Sequence, residues 1–446
     1  MKHSKITLAL LFSFMLVIGG IASTATAAVP GFDLSKMSDM SDFNPNDEIE
    51  PKGDVVKIGY VNHFSGPGAG NGEVHIIQLN WVAHDLNKRG GIMVDGKKKL
   101  IRVLKGDVKG QPSVAKKAAE KLCLEDNVDI LSGVSGSHLA LVVSTVAKKY
   151  KRIMHLECAV ADSLLDAKNF HRYAFRTCIT TSMFGKAMAY YYAQRPEKKF
   201  YILCQDYMYG HDIANAFKSG LKAYKKDYEI VGEAYHPLFL KDFAPYLTKV
   251  QGAGAEVIYT GDWLPDGMNM VVQANSLGIK LPIANLYADT YEGLKAIGGE
   301  AGRTMVNGNA HMITVDTPEN KAFNKMWNDQ YKKWGKPYNS PMYKWPFSIL
   351  GECVNGFYWL FDVVERAGST DPEKIIKTWE GDEYKSITGM VKMRACDHQI
   401  IRDCYVSQFE YPNPWFDDAA SYGKPFIVPA KYCEQPLPEG LDRCKE

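Results

Sequence analysis

Val128 to Ser144 reads V-D-I-L-S-G-V-S-G-S-H-L-A-L-V-V-S, and this stretch decides the fold. Val128, Ile130 and Leu131 make an apolar run of strand length. Small residues follow: Ser132, Gly133, Ser135, Gly136 and Ser137. Leu139, Leu141, Val142 and Val143 then open a helical pattern that continues through Ala147. The order is strand, tight turn, helix. Glycines let backbone N–H groups come close to a ligand, and Ser137 stands where an N-cap belongs. A helix start, with free N–H groups and the positive end of the dipole, suits a carboxylate or phosphate. An ordinary capped turn would carry the same residues. The functional reading gains because the theme repeats on both sides.

Upstream, Val55 to Val61 reads as a strand, and Phe64 to Gly72 as a glycine-rich loop. A helix carrying Val74, Ile77, Trp81, Val82 and Leu86 ends at Gly90-Gly91. Leu100 to Leu104 is a strand, Ser113 to Leu124 a helix, and Arg152 to Leu156 a strand that leads into the loop Glu157 to Asp162. After Arg176-Thr177 the alternation restarts, with strands near Phe200–Cys204, Glu229–Tyr235, Val257–Thr260 and Ile283–Ala284 and helices between them. Strands alternating with helices make a parallel α/β sheet, whose ligands bind beyond the carboxyl ends of the strands. Two such units in series imply two lobes with a cleft. The last third carries long helices over Asn320–Trp334 and Phe347–Arg366. Pro372–Trp379 is a shorter helix, Gly389–Phe409 reads as a β-hairpin, and the tail is rich in proline and aromatics.

The chain has 446 residues, 46% of them apolar and 23% charged, enough for two or three globular domains. Residues 1–28 read as a secretory signal peptide. Lys2 and Lys5 open it, Ile6 to Ala22 is apolar, and Ala25-Thr26-Ala27 is an A-x-A exit, so cleavage is expected near Ala27/Ala28. The apolar run is short for a membrane span, and no later segment is long enough for one. Residues 29–54 read as a loosely structured leader with Pro30, Pro45 and Pro51. Losing the signal removes two of 53 basic residues and none of the 51 acidic ones, which leaves a neutral chain. Without a basic patch, nucleic acid is excluded as a partner.

Nine cysteines in an exported chain invite disulfides. Cys396 with Cys404, Cys433 with Cys444 and Cys158 with Cys178 are the candidate pairs, while Cys123, Cys204 and Cys353 lie in apolar patterns of buried thiols. There is no C-x-x-C and no H-E-x-x-H, so no metal and no cofactor is expected.

Five motifs in order carry a family resemblance. They are Phe64-Ser-Gly-Pro-x-Ala-x-x-Gly72, the turn Gly133 to Ser137, Tyr173-Ala-Phe-Arg-Thr177, Asp206-Tyr-Met-Tyr-Gly210 and Gly389-Met-Val-Lys-Met. Over Val55 to Phe409 the chain resembles the type I periplasmic solute-binding proteins of ABC importers, in the leucine/isoleucine/valine-binding branch. The resemblance implies a two-lobed α/β fold with two parallel sheets joined by a three-strand hinge. It places crossings near Ile179-Thr180, Asn309-Ala310 and Ile387-Thr388. Lobe one would then be 55–178 plus 311–386, and lobe two 179–310 plus 387–446. It also implies a monomeric periplasmic receptor, not an enzyme, that hands a small ligand to the membrane subunits of an importer after hinge closure.

Site residues carry over by position. Ser137, beside Ser135 and Gly136, would hold a ligand carboxylate, assisted by backbone groups at Ala159, Val160 and Ala161. Tyr209 and Trp263 fall on the second lobe's aromatic positions, and Phe64 and Asn71 on the first loop. The family's acid for a ligand ammonium falls on Tyr287, a phenol that cannot neutralise that charge. Either Asp289 or Asp262 takes over, or the ligand has no amine. The family's disulfide near the site has no counterpart, since Lys109 and Gly136 occupy those places.

Rival classes are an exported hydrolase, a dinucleotide enzyme and a receptor's sensing domain. Gly133-Val-Ser135-Gly-Ser137 would need a glycine at 137 to match G-x-S-x-G, and no histidine is placed by pattern as its base. The glycines at 66, 68, 70 and 72 miss G-x-G-x-x-G, with Asn71 and Glu73 at the deciding positions. No span or effector segment follows to make a sensing domain. The solute receptor is the reading adopted, and the hydrolase using the Ser135/Ser137 turn is its alternative.

Overall fold

A computed structural model describes residues 29–66, 68–263 and 265–444. The expected signal segment, 1–28, lies outside the described residues. The first unit contains β1 (Val55–Asn62), α1 (Ala69–Lys88), β2 (Ile92–Val94), β3 (Lys97–Asp107), α2 (Pro112–Leu124), β4 (Ile130–Gly133), α3 (Ser137–Tyr150), β5 (Ile153–Leu156) and β6 (Ala174–Arg176). Its six strands lie in the order β2-β3-β1-β4-β5-β6, parallel except for the β2–β3 hairpin. Apart from its two ends, β1 alternates little between apolar and polar residues because it is central and covered on both faces.

The second unit follows with α4 (Thr181–Tyr192), β7 (Lys199–Gln205), α5 (Met208–Tyr224), β8 (Glu229–His236), α6 (Ala244–Gly252), β9 (Val257–Tyr259), α7 (Asp266–Ser276), β10 (Ile283–Asn285), short helices α8 (Tyr291–Ile297) and α9 (Gly299–Gly302), and β11 (Met305–Asn309). The chain then returns to the first unit with α10 (Pro318–Tyr331), α11 (Ser348–Ala367) and α12 (Pro372–Trp379). A small antiparallel sheet comes next, made of β12 (Glu383–Ser386), β13 (Gly389–Met393) and β14 (Ile400–Arg402). It is followed by β15 (Cys404–Glu410), β16 (Ser421–Tyr422), β17 (Phe426–Val428) and α13 (Ala430–Cys433). The second sheet runs β16-β15-β11-β10-β9-β7-β8, with β17 also on β15.

The chain leaves the first sheet after β6 and the second sheet after β11. The expected hairpin over 389–409 is instead three strands, and His398 and Gln399, just before β14, sit against the edge of the first sheet. Arg176 N–H donates to the His398 carbonyl at 3.0 Å, and Phe175 stacks on the His398 ring with centroids 3.9 Å apart. The chain enters the second sheet only at β15. Side chains of α11 tie the crossings together. Glu352 accepts from Ile179 N–H at 2.7 Å, and Asn355 accepts from Ile387 N–H at 2.7 Å. Arg402 donates to both the Ala310 carbonyl and the Thr388 hydroxyl, each at 2.7 Å.

Two expectations are corrected here. The leader is packed rather than loose: Phe32, Met40 and Phe43 are buried, and Phe43 meets Trp81 and Trp334 edge-on at 5.1 and 5.7 Å. Three widely spaced anchors leave no periodicity to read. The cysteine pairing also differs. In this structure Cys396 bonds Cys444, while Cys158, Cys178, Cys404 and Cys433 are buried without a disulfide. Cys404 is buried on β15, and the 442–444 turn brings Cys444 back to Cys396. Cys123, Cys204 and Cys353 are buried, as their apolar patterns predict.

Candidate functional site

The carboxyl ends of β1, β4 and β5 face those of β7, β9 and β10 across a cleft. A small cavity of about 50 Å³ lies between them. That is less than the roughly 150 Å³ of a cavity that admits benzene. A wider space of about 550 Å³ adjoins it at Asn71 and Thr290 and is bordered by Met268, Pro337 and Met342.

The first-lobe wall is built at the strand-turn-helix stretch. Gly136, not Ser137, is the N-cap of α3. Its φ of 92° is open to glycine and unfavourable for a serine. No side chain caps the helix, and Leu139 N–H is the first to reach back, to the Gly136 carbonyl at 3.0 Å. The amides of Ser137 and His138 thus precede the helix's own hydrogen bonds. The Ser137 oxygen accepts from Ala161 N–H at 3.2 Å, which leaves its proton to donate elsewhere. Asn71, Val74, His75, Ser135, Cys158 and Val160 complete this wall.

Tyr207, Tyr209, Trp263, Tyr287, Asp289 and Thr290 form the opposite wall, and Phe347 closes one end. Most of their polar atoms are already engaged. Tyr209 donates its hydroxyl to the Gly261 carbonyl, and Trp263 Nε1 donates to the Tyr207 hydroxyl at 2.7 Å. One oxygen of Asp289 accepts from Ser348 Oγ at 2.7 Å, from Ser348 N–H at 3.3 Å and from the Tyr422 hydroxyl. Burial pushes the Asp289 carboxyl up from its ordinary range, and the Tyr422 and Ser348 hydrogen bonds pull against it. The Tyr287 hydroxyl and Thr290 Oγ1 are buried without a hydrogen-bond partner among the described residues. Unpartnered buried polar atoms that face a cavity are what a ligand would satisfy.

Beneath the first wall lies a buried polar cluster. Glu157 accepts from the Tyr60 hydroxyl at 2.8 Å, and its other oxygen sits 3.2 Å from His75 Nδ1. Burial works against ionising Glu157, but the His75 imidazole and neighbouring thiols hold its carboxyl down to about 2. With Cys353 these groups offer donor atoms within 4.8 Å of one another. Both Glu157 oxygens already have partners, so the group is a hydrogen-bonded core network, and the donor set does not call for a metal.

Nine of the twelve residues named from the sequence line the cavity: Ser137, Ser135, Gly136, Val160, Tyr209, Trp263, Tyr287, Asp289 and Asn71. Ala159 and Ala161 sit behind it. Ala161 holds Ser137, and the Ala159 carbonyl accepts from Arg176 at 3.1 Å. Phe64 lies outside the cavity. Its ring stands edge-on to Tyr60 at 6.3 Å, and its N–H is tied to Asp107 at 3.0 Å. Asp262, the alternative partner for an ammonium, is buried against His236 Nε2 at 2.7 Å. His75, Cys158 and Phe347 were missed: His75 sits among the apolar residues of α1, Cys158 reads as a disulfide candidate, and Phe347 as the start of a long helix. Neither the Ser135 nor the Ser137 hydroxyl is hydrogen-bonded to a histidine among the described residues, so the hydrolase turn lacks its base.

A sequence profile described as "Periplasmic binding protein" matches residues 55–414. The Leu/Ile/Val-binding protein homolog 4 of Brucella melitensis is 26% identical over 379 residues, covering 82% of this chain and 87% of the relative. Homolog 6 of the same organism is 25% identical over 380 residues, covering 83% and 90%. Among solved structures, the closed Brucella ovis leucine-, isoleucine-, valine-, threonine- and alanine-binding protein shares the fold, with a TM-score of 0.74, 22% identity and coverage of 87% and 98%. A solute-binding protein of an R. palustris ABC transporter, in complex with 4-hydroxybenzoate, has a TM-score of 0.72, 22% identity and coverage of 84% and 98%. The chain belongs to the periplasmic binding protein family, as a two-lobed solute-binding protein and not an enzyme.

Proposed function

We propose that the chain is an exported, monomeric receptor that closes its lobes on a small carboxylate-bearing solute and delivers it to the membrane subunits of an ABC importer. The observation that carries this is the start of α3. There an uncapped helix N-terminus and the Ser137 hydroxyl face a wall of aromatic rings across the cleft. The carboxylate would sit on the Ser137 and His138 amides, and the apolar body would lie against Tyr209, Tyr287 and Trp263. The signal-like residues 1–28 support export. The structures named above, a leucine-, isoleucine-, valine-, threonine- and alanine-binding protein and a solute-binding protein in complex with 4-hydroxybenzoate, support both an amino acid and an aromatic acid as the solute class.

Asp289 favours the amino acid. It is the carboxylate that lines the cavity, and its hydrogen bonds to Ser348 and Tyr422 stabilise its charged form. Tyr287 favours an amine-free acid, since its unpartnered hydroxyl would serve a neutral or acidic ligand group. A thermal-shift panel of hydrophobic amino acids, hydroxybenzoates and short carboxylates on the mature chain separates the two. A ligand at a hundred times its Kd adds about 2.7 kcal/mol. No shift with any carboxylate, and no solute retained on native mass spectrometry, would overturn the carboxylate reading.

A further inference from the structure

Residues 429–444 form a strap between the lobes. At one end, α13 follows β17, which pairs antiparallel with β15. Tyr224 Oη donates to the Tyr432 carbonyl at 2.6 Å, and Lys186 Nζ donates to the Glu434 carbonyl at 2.9 Å, both from helices of the second unit. At the other end, Arg443 donates to the Ala395 carbonyl at 2.8 Å, and Cys444 is bonded to Cys396, beside the small sheet that abuts the first lobe.

The end on the second lobe contains two further sulfurs. Cys404 lies opposite Val428 in the β15–β17 register. The Cys433 sulfur stands 3.7 Å from the Val428 carbonyl and 3.8 Å from that of Arg402. Both side chains are almost fully buried, with 1% and 0% of their surface exposed.

We propose that Cys404 and Cys433 are a second disulfide of the exported protein, so that the strap is stapled to β15 at one end and to Cys396 at the other. This rests on the export reading above. The pairing uses the four cysteines of the C-terminal region in the combination 396–444 and 404–433, which no spacing rule selects. Hydrogen bonding from the Cys433 side chain, and then burial, push the Cys404 thiol up. A protonated, enclosed thiol is a poor nucleophile, so the bond forms during folding, before β17 and α13 close over β15. One thiolate attacks a disulfide donor of the oxidising compartment and forms a mixed disulfide. The other thiolate then displaces the donor sulfur. The donor leaves as a dithiol that carries both protons and both electrons.

The test is a thiol count and peptide map of the full chain purified after export. It is alkylated in denaturant without reductant, then digested. The nine cysteines should give five alkylated positions, with a linked peptide pair containing Cys404 and Cys433. Recovery of Cys396–Cys444 linked while Cys404 and Cys433 are both alkylated, giving seven, overturns the proposal and leaves export intact. Finding both pairs reduced overturns the export reading, and the second staple with it.

Discussion

The two walls of the cleft offer different chemistry. The first-lobe wall offers backbone amides and a serine proton, fixed by a helix start and by Ala161. The second-lobe wall offers ring faces whose polar tips are largely spent on each other, on the Gly261 carbonyl and on Ser348. Amides bind any carboxylate. The shape and the one carboxylate of the opposite wall decide which carboxylate is accepted. On the proposed carboxylate reading, affinity for the shared group would sit on one lobe and selection on the other, and closure would bring both to bear.

The largest effect is expected at Asp289. Asp289→Asn should cost an amine-bearing ligand about 2–5 kcal/mol by calorimetry, because a desolvated charge pair loses a partner. An amine-free acid should bind as well or better, which would assign selection to the aromatic rings alone.

Glu352 tests the hinge that joins the walls. Burial raises its carboxyl to about 7, against the pull of Arg402, from an ordinary value of 4.5. The folded chain therefore holds a proton that the unfolded chain releases between those pH values. Stability should fall as pH rises from about 4.5 to about 7 and stay flat above, a loss of about 3 kcal/mol. Glu352→Gln, which keeps an acceptor for Ile179 N–H, should remove that slope in denaturant titrations at pH 5 and pH 8. An unchanged slope would mean that another group carries it.

Ser137→Ala should weaken every carboxylate ligand by about 1.5–3 kcal/mol, whatever its body. A loss confined to one ligand would break the division between shared and selective walls. The smallest effect is expected at the rim. Asp212 of α5 accepts from Ser163 N–H at 3.2 Å and from Ser163 Oγ at 2.6 Å across the cleft. Asp212→Ala should cost about 1 kcal/mol of affinity by loosening the closed form, with the ranking of ligands unchanged.

Much of this was legible locally. The stretch Val128–Ser144 gave strand, turn and helix because apolar runs and small residues have only one arrangement at that spacing. The same rule found most strands of both sheets. It missed β2, although Asp95-Gly96 is a two-residue turn with φ of 53° and 77° and is a hairpin signal in its own right. It started α1 late, at Val74 rather than Ala69, because the first turn carries glycines in place of apolar residues.

The sequence by itself determined the alternating α/β pattern, the two units, and the serine–glycine helix start that lines the cleft. Each follows from periodicity and backbone chemistry within a few tens of residues. The tertiary structure alone decided that Phe64 turns away, that His75 and Cys158 reach the cavity, and that Asp262 is spent on His236. It also decided that Tyr422, from the tail, orients Asp289. Tyr422 and Asp289 alone are 133 residues apart in the chain. Their geometry depends on how sheets, hinge and strap pack together, and no local pattern encodes it.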